Sequence, residues 1–356
     1  MKKRIGFIGF GWIARDIHYP NYLTIADECE ITAVCDIAEQ AIKNAKEKTG
    51  LSDDRIFTDY KELIDSGLCD AVDICTPNYL HCEIAKYALN AGLAVSIEKP
   101  VGMNSKEVKE VKELAEEKGL PAFVCFTWRH RAPLRFLKDL VDEGTLGEIH
   151  HMYIKCIKDS ALWPGRRLEW RFRKEMAGVG VLSDLGSHML DLLNWLGTDV
   201  QGLSANYGTF VKERQLIDSE EWGEVTTDDW ANLIIDLKNG SSATVTLSRG
   251  CATCSGLTEV EVFGRNGYMK FSESDFSHIT VHIDGEDEKV LPIPESYGAA
   301  DSLHQCKSFI NLLNGKVDEY TSTIDYGLQS QIVLDAAEIA GKEKRYVTLK
   351  EIEDKL

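Results

Sequence analysis

Short apolar runs recur along the first third of the chain: RIGFIG (4–9), EITAVCD (30–36), AVDICTP (71–77), LAVSIEKP (93–100) and PAFVCF (121–126). Each has the length of a buried strand. Between several of them lie stretches with apolar residues at three- and four-residue spacing. One is IAEQAIKNAKEKTG, closed by Gly50; another is YLHCEIAKYALNAG, closed by Gly92; a charged stretch over 104–119 is a third. A glycine just past the last apolar position is a helix stop. Strands alternating with helices predict a doubly wound parallel sheet, which places ligands at the carboxyl ends of its strands.

Beyond residue 126 the period changes. A helix is expected over about 133–143, ending near Gly144, and GEIHHMYIKCIK starts a new strand. From about 201 to 293 the apolar positions alternate in twos. Asn239-Gly240 and Asn266-Gly267 separate alternating runs, as hairpin turns do. Helices over 300–314 and 325–341 and the short strand RYVTL close the chain. The pattern predicts an α+β domain with a large, mainly antiparallel open sheet and helices on one face. The other face needs a cover, and a second copy of the chain is a natural one. The change of pattern near 125 divides the chain into domains over 1–125 and 126–356.

A length of 356 residues suits two domains with separate cores. The net charge of −18 disfavours nucleic acid and anionic membranes as partners. No run approaches the ~18 apolar residues of a membrane span. The opening MKKRIGFIGFGW meets glycines before any long apolar stretch, so no signal peptide is expected and the cytoplasm is the expected location. Three of the ten cysteines, Cys35, Cys75 and Cys125, fall in strand-like runs, where a reduced thiol acts as a small hydrophobe. Cys251 and Cys254 form a CxxC with no second pair, so no metal is expected there.

The chemistry begins at Gly9-Phe-Gly11-Trp12-Ile13-Ala14, which follows the first strand and opens a helix. Gly9 allows a tight turn, Gly11 lets backbone approach a pyrophosphate, and Ala14 keeps helix and sheet close. The helix amino terminus offers N–H groups to the anion. Asp36 ends the second strand, where a carboxylate accepts from ribose hydroxyls. A 2′-phosphate about 4 Å away would meet roughly 1–4 kcal/mol of repulsion, which favours NAD over NADP. S-adenosylmethionine sites share this turn, so the turn alone leaves both ligands open. In the second domain AGVGVLSDLGSHMLD (177–191) places Asp184, His188 and Asp191 on one helix face. A solvated face, a metal site and half of an active site all fit that spacing. The loop DSALWPGRRLEW (159–170) brings Arg166 and Arg167, which suit an acidic substrate or the chain's own carboxylates.

With CTPNYLH (75–81), Glu98-Lys99-Pro100, GTLGEI (144–149), Trp170-Arg171-Phe172 and GVGVLSDLGSHMLD (178–191), the chain resembles the glucose–fructose oxidoreductase/inositol dehydrogenase/MocA family over essentially its whole length. The resemblance implies a Rossmann dinucleotide-binding domain followed by a substrate-binding and oligomerisation domain. It implies hydride transfer between a secondary alcohol of a sugar, sugar derivative or cyclitol and nicotinamide. Cofactor contacts are then expected from Gly9, Gly11, Trp12, Ile13, Asp36, Thr76, Pro77, Asn78, His81, Glu98, Lys99, Trp170 and Arg171. Substrate contacts are expected from Lys99, Arg129, Arg171, Asp184 and His188.

Lys99 touches the reacting hydroxyl in the family. His188 is the expected acid/base, since imidazole exchanges protons near neutral pH. Asp184 orients that ring or holds a neighbouring hydroxyl, while Asp191 supports the helix. A lysine at the same site would repel a cation, so no metal is expected. The chain departs from the family at WRHRAP, with His130 where arginine is common, and at Gly178-Val179-Gly180, where three glycines are usual. The expected partners are a carbohydrate or cyclitol and a second copy, as a homodimer or homotetramer through the open sheet face. Redox-neutral glycoside cleavage with tightly held NAD and a non-catalytic dinucleotide sensor are the alternatives. Retention of Lys99, Asp184 and His188 together speaks against the sensor.

Overall fold

The computed structural model describes residues 1–254, 256–299 and 303–356. They fall into two compact units, Met1–Phe126 with Leu303–Leu328, and Thr127–Ser302 with Gln329–Leu356.

The first unit is built on β1 (Lys3–Ile8), β2 (Cys29–Cys35), β3 (Ile56–Phe57), β4 (Ala71–Ile74), β5 (Ala94–Ile97) and β6 (Ala122–Val124). The order is β3-β2-β1-β4-β5-β6, and every pair is parallel. The central strands are mainly apolar because both faces are covered. Ile8, Val72 and Val95 meet helices Asn78–Asn90 and Ser105–Lys118 on one side. Ile5, Phe7 and Val34 meet Ala14, Tyr22 and Phe309 on the other.

The units differ from a single cut at 125. Helix Gln305–Leu313 belongs to the first unit, with Phe309 against Phe123 at 5.6 Å between ring centroids. Farther along, Val124 N–H donates to Ser322 O at 2.8 Å, and Thr323 bridges Phe123, which covers the β6 edge. A change of period marks where a chain leaves a core, not where it returns. The helix expected over 300–314 is observed from Gln305, and residues 300–302 lie outside the described residues.

The second unit holds β7 (Ile149–Ile157), β8 (Val200–Gly208), a ribbon of β9 (Glu213–Gln215) and β10 (Trp222–Glu224), β11 (Trp230–Leu237), β12 (Ser242–Ser248), β13 (Leu257–Gly264), β14 (Gly267–Ser272), β15 (Asp275–Ile283), β16 (Lys289–Pro292) and β17 (Val347–Thr348). Apart from the ribbon they form one sheet ordered β16-β15-β14-β13-β7-β12-β11-β8-β17. All its pairs are antiparallel except β7 with β12. Alternation decides the faces: Ala231, Leu233 and Ile235 are buried, while Asn232, Ile234 and Asp236 are exposed. Helix Ser187–Leu196 packs on the inner face, where Gly197 approaches Met152. Among the described residues no helix is long and apolar enough to cross a membrane.

Candidate functional site

Four adjacent parallel strands of the first unit, β2, β1, β4 and β5, carry Asp36, the Gly9–Gly11 turn, Thr76–Asn78 and Lys99 beyond their carboxyl ends. Three strand spacings, about 14 Å, separate the first from the last. Gly9 has φ +87°, and a Cβ there would lie 2.6 Å from Cys75 O. At Gly11 no atom lies within 4 Å of the corresponding Cβ position, so the turn presents bare backbone to open space. Asp36 holds the turn from below: Oδ2 accepts the Phe10 N–H at 2.7 Å and Oδ1 the Ala38 N–H at 2.9 Å. This carboxylate therefore shapes the glycine loop itself.

After β4, Pro77 leads into helix Asn78–Asn90, and the buried Thr76 hydroxyl has no hydrogen-bond partner among the described residues. His81, expected against the cofactor, is instead 1% exposed. Its Nδ1 lies 2.8 Å from Pro100 O and its Nε2 2.8 Å from Thr76 O. Burial pulls its pKa below the ordinary value, against those two carbonyls. The ring thus ties the turn after β4 to the turn after β5, a bracing position that helix spacing cannot distinguish from a ligand-facing one.

At the end of β5, Glu98 is also turned inward. Its Oε2 accepts the Lys99 N–H at 3.2 Å and its Oε1 lies 3.0 Å from His18 Nε2. The Lys99–Pro100 peptide is cis, and Lys99 is half-buried. His18, which ends a π-helical turn at Ala14–His18, is fully buried with Nδ1 3.0 Å from Asp73 Oδ2. Burial alone would depress its pKa, but the Asp73 carboxylate and Cys75 outweigh it and hold the imidazole well above its ordinary value. No motif marks His18 or Asp73 in the sequence, where the one signal is that an aspartate inside an otherwise apolar parallel strand requires a buried partner.

In the second unit the stretch 182–196 is not one regular α-helix. Leu182–Gly186 is a π-helical turn carrying Asp184, and α-helix Ser187–Leu196 follows with His188 in its first turn. Asp184 is half-buried and His188 is buried. The start of this segment is fixed by Asp228, which accepts the Gly180 N–H at 2.6 Å and the Leu182 N–H at 3.0 Å. A Cβ at Gly180 would sit 2.1 Å from Asp228 O, so this glycine of the shortened GVG is required for the approach. Burial raises the Asp228 pKa against those amide donors.

Asp191 is fully buried and takes a two-pronged ion pair from Arg129, with Nε donating to Oδ2 at 2.9 Å and Nη2 to Oδ1. Burial pushes the Asp191 carboxyl up to about 6 against the pull of that guanidinium. Arg129, expected among the substrate contacts, is therefore a core brace, its guanidinium also 5.2 Å from the Trp195 ring centroid. A surface and a core arginine look alike along a chain.

Trp170–Phe172 is a short 3-10 turn, and the Arg171 guanidinium stacks 4.3 Å from the Trp170 ring centroid. Trp170 lines a cavity of about 510 Å³ with Leu168, Arg173, Met176, Leu216 and Ile217. Arg166 pairs with Glu169 at 2.6 Å and Arg167 with Glu220 at 3.7 Å, so the loop arginines meet the chain's own carboxylates. The Cys251 and Cys254 sulfurs lie 3.0 Å apart, and all ten cysteines are free thiols.

The first unit suits a bound dinucleotide: open backbone at Gly11, a carboxylate at the end of β2 and an unpartnered hydroxyl at Thr76. It is an NAD-binding Rossmann domain, and the second unit is the α+β partner found in dinucleotide-dependent oxidoreductases. Residues 3–126 match the oxidoreductase family with an NAD-binding Rossmann fold, and residues 134–270 match the Gfo/Idh/MocA C-terminal domain. The chain belongs to the Gfo/Idh/MocA oxidoreductase family. Glucose-6-phosphate 3-dehydrogenase of Bacillus subtilis is 28% identical over 94% of this chain and 95% of its own length. Levoglucosan dehydrogenase of Pseudarthrobacter phenanthrenivorans is 29% identical over 60% of this chain and 58% of its own. A solved levoglucosan dehydrogenase in complex with NADH and L-sorbose superposes with a TM-score of 0.90 at 22% identity, covering 98% of this chain and 99% of that one.

Proposed function

We propose that this protein is an NAD-dependent dehydrogenase or reductase acting on a secondary alcohol of a sugar, sugar derivative or cyclitol. The observation that carries the reading is the first-unit sheet edge, where Asp36, Gly11, Thr76 and Lys99 follow four adjacent strands. Bound NAD supplies the hydride acceptor. The Asp36 carboxylate favours NAD over NADP by repelling a 2′-phosphate. Lys99 places its ammonium beside the reacting hydroxyl, where it stabilises the alkoxide that develops as the proton leaves. His188 takes that proton, and Asp184 sets the ring or holds a neighbouring hydroxyl. Trp170 and Arg171 border the ligand. Two relatives whose names are sugar dehydrogenases support the substrate class.

The outer sheet face carries exposed Tyr153 and Ile234, and the Tyr153, Phe263 and Tyr268 rings contact one another along it. This supports a homodimer or homotetramer covering that face, and free thiols suit the cytoplasm.

Incubation with NAD and a panel of sugars, glycosides and inositols, read as NADH absorbance, tests the reading. Turnover by the wild type and its loss in Lys99→Met and His188→Asn are expected. Release of an aglycone without NADH, or no turnover across the panel with ligand binding indifferent to Lys99→Met, would overturn it.

A further inference from the structure

Beneath the sheet edge lies a charged cluster that the roles above leave unused. We propose that His18 is a positioning residue for the Glu98-Lys99-Pro100 turn, an imidazolium clamped between Asp73 and Glu98. The proposal rests on reading Lys99 as the group at the reacting hydroxyl.

Three observations carry it. His18 Nδ1 and Nε2 lie 3.0 Å from Asp73 Oδ2 and Glu98 Oε1 respectively. Two ionised carboxylates accept from both ring nitrogens only when the ring carries both protons. The Gln305 amide, with Nε2 3.1 Å from His18 Nε2, fits that state once its oxygen faces the ring, the two amide ends being alike in shape. Second, His18 and Asp73 are essentially inaccessible and Glu98 is 6% exposed, so each buried carboxylate needs a positive partner. The surrounding groups are Asp73 of β4 with Cys75 after it, Glu98 after β5, Cys125 after β6, Tyr22, and Gln305 and Cys306 of the returning helix. Among the described groups facing the ring, His18 supplies the positive charge.

Third, the contact is directional. The Glu98 oxygen opposite the His18 bond accepts the Lys99 N–H, so the clamp sets the carboxylate and the carboxylate sets the Lys99 backbone. On the far side, His81 holds Pro100 O. Without the imidazolium, Glu98 lies beside Asp73 as one like charge beside another, and its carboxylate turns away. That change frees the Lys99 amide and displaces its ammonium.

The test uses full-length His18→Gln, assayed below its melting temperature, with turnover expressed per folded molecule. A displacement of about 1 Å at a positioned group lowers turnover about 100-fold, and a kcat loss of that size is expected. NADH affinity should change far less. In a Glu98→Gln background the same substitution should add little, since both act on one link. His18→Gln with Asp73→Asn removes a buried anion along with the cation, so folding is kept while the low kcat remains. Unchanged kcat in that double variant, or losses that simply add to those of Glu98→Gln, would overturn the proposal.

Imidazole nitrogen NMR of the wild type supplies a readout independent of turnover. Both ring nitrogens should remain protonated well above the ordinary imidazole range, and the Lys99 amide should exchange faster in His18→Gln. A neutral ring titrating near pH 6.5, or stoichiometric bound metal lost with His18→Gln, also overturns it. If no sugar is oxidised by the wild type, the dehydrogenase reading fails while these NMR and exchange results still decide the role of His18.

Discussion

Two glycines in the first turn separate folding from cofactor binding, because a single methyl group meets different surroundings at each. At Gly9 a Cβ would lie 2.6 Å from Cys75 O and 2.8 Å from its carbonyl carbon, and φ is +87°. These are backbone atoms held by the Cys75 N–H bond to Ile8 O at 2.8 Å, so they cannot swing away as a side chain does. Gly9→Ala therefore carries about 1–2 kcal/mol for the left-handed conformation and about 1–3 kcal/mol for displaced packing. The sum, roughly 2–5 kcal/mol, lowers the melting temperature of a unit this size by roughly 4–20 °C.

Gly11→Ala meets no atom within 4 Å, and its apo melting temperature should stay within a few degrees of the wild type. Its methyl instead occupies the space a pyrophosphate needs. Forcing that contact costs about 1–3 kcal/mol, or roughly 5- to 150-fold in NADH affinity. Calorimetry of the apo proteins and fluorescence titration with NADH read the two effects separately. The reasoning fails if both variants melt alike, or if Gly11→Ala binds NADH as the wild type does.

Three further outcomes are expected. Arg129→Leu strands the buried Asp191 carboxylate and should lose about 3–5 kcal/mol in urea denaturation, most of it regained in Arg129→Leu with Asp191→Leu; a double variant as unstable as the single would count against the pairing. Asp36→Asn should narrow the NADH-over-NADPH preference by roughly 1–4 kcal/mol in paired titrations. Because asparagine keeps an acceptor for the Phe10 N–H, an unchanged preference would indicate that Asp36 acts on the turn alone. For pH, the His18 pKa is raised on folding, so its stabilisation is complete below the unfolded value of about 6.5 and is lost as pH rises through the folded value. Urea midpoints of the wild type should approach those of His18→Gln with Asp73→Asn from pH 6.5 upward, and a constant difference to pH 10 would refute the linkage.

The strands β1, β2, β4 and β5 were legible because a parallel strand covered on both faces must be apolar along its length, and the gaps between them are helical in period. Alternation in Trp230–Leu237 and Ser242–Ser248 likewise announced a one-sided sheet, with Asn239-Gly240 as its hairpin. Gly9, Gly11 and Asp36 stood out because a tight turn, a bare backbone and a strand-end carboxylate are local requirements. The return of Leu303–Leu328 to the first unit was not legible, since amphipathic helices look alike whichever core they enter. Nor was the π-helical turn at Leu182–Gly186, whose extra residue interrupts the regular spacing assumed for Asp184 and His188.

What the amino-acid order determined by itself was therefore whatever depends on near neighbours: periods, turns, the dinucleotide loop, and the candidates Lys99, Asp184 and His188. Tertiary structure alone decided how polar residues are used. Arg129 became a brace for Asp191, His81 a staple between two turns, Asp228 the anchor of the Asp184 segment, and His18 the counter-ion of Asp73 and Glu98. The physical reason is that a buried charge is defined by its partner. Apart from Thr76, five residues before His81, those partners lie 19 to 80 residues apart in the chain, a separation over which no local pattern carries information.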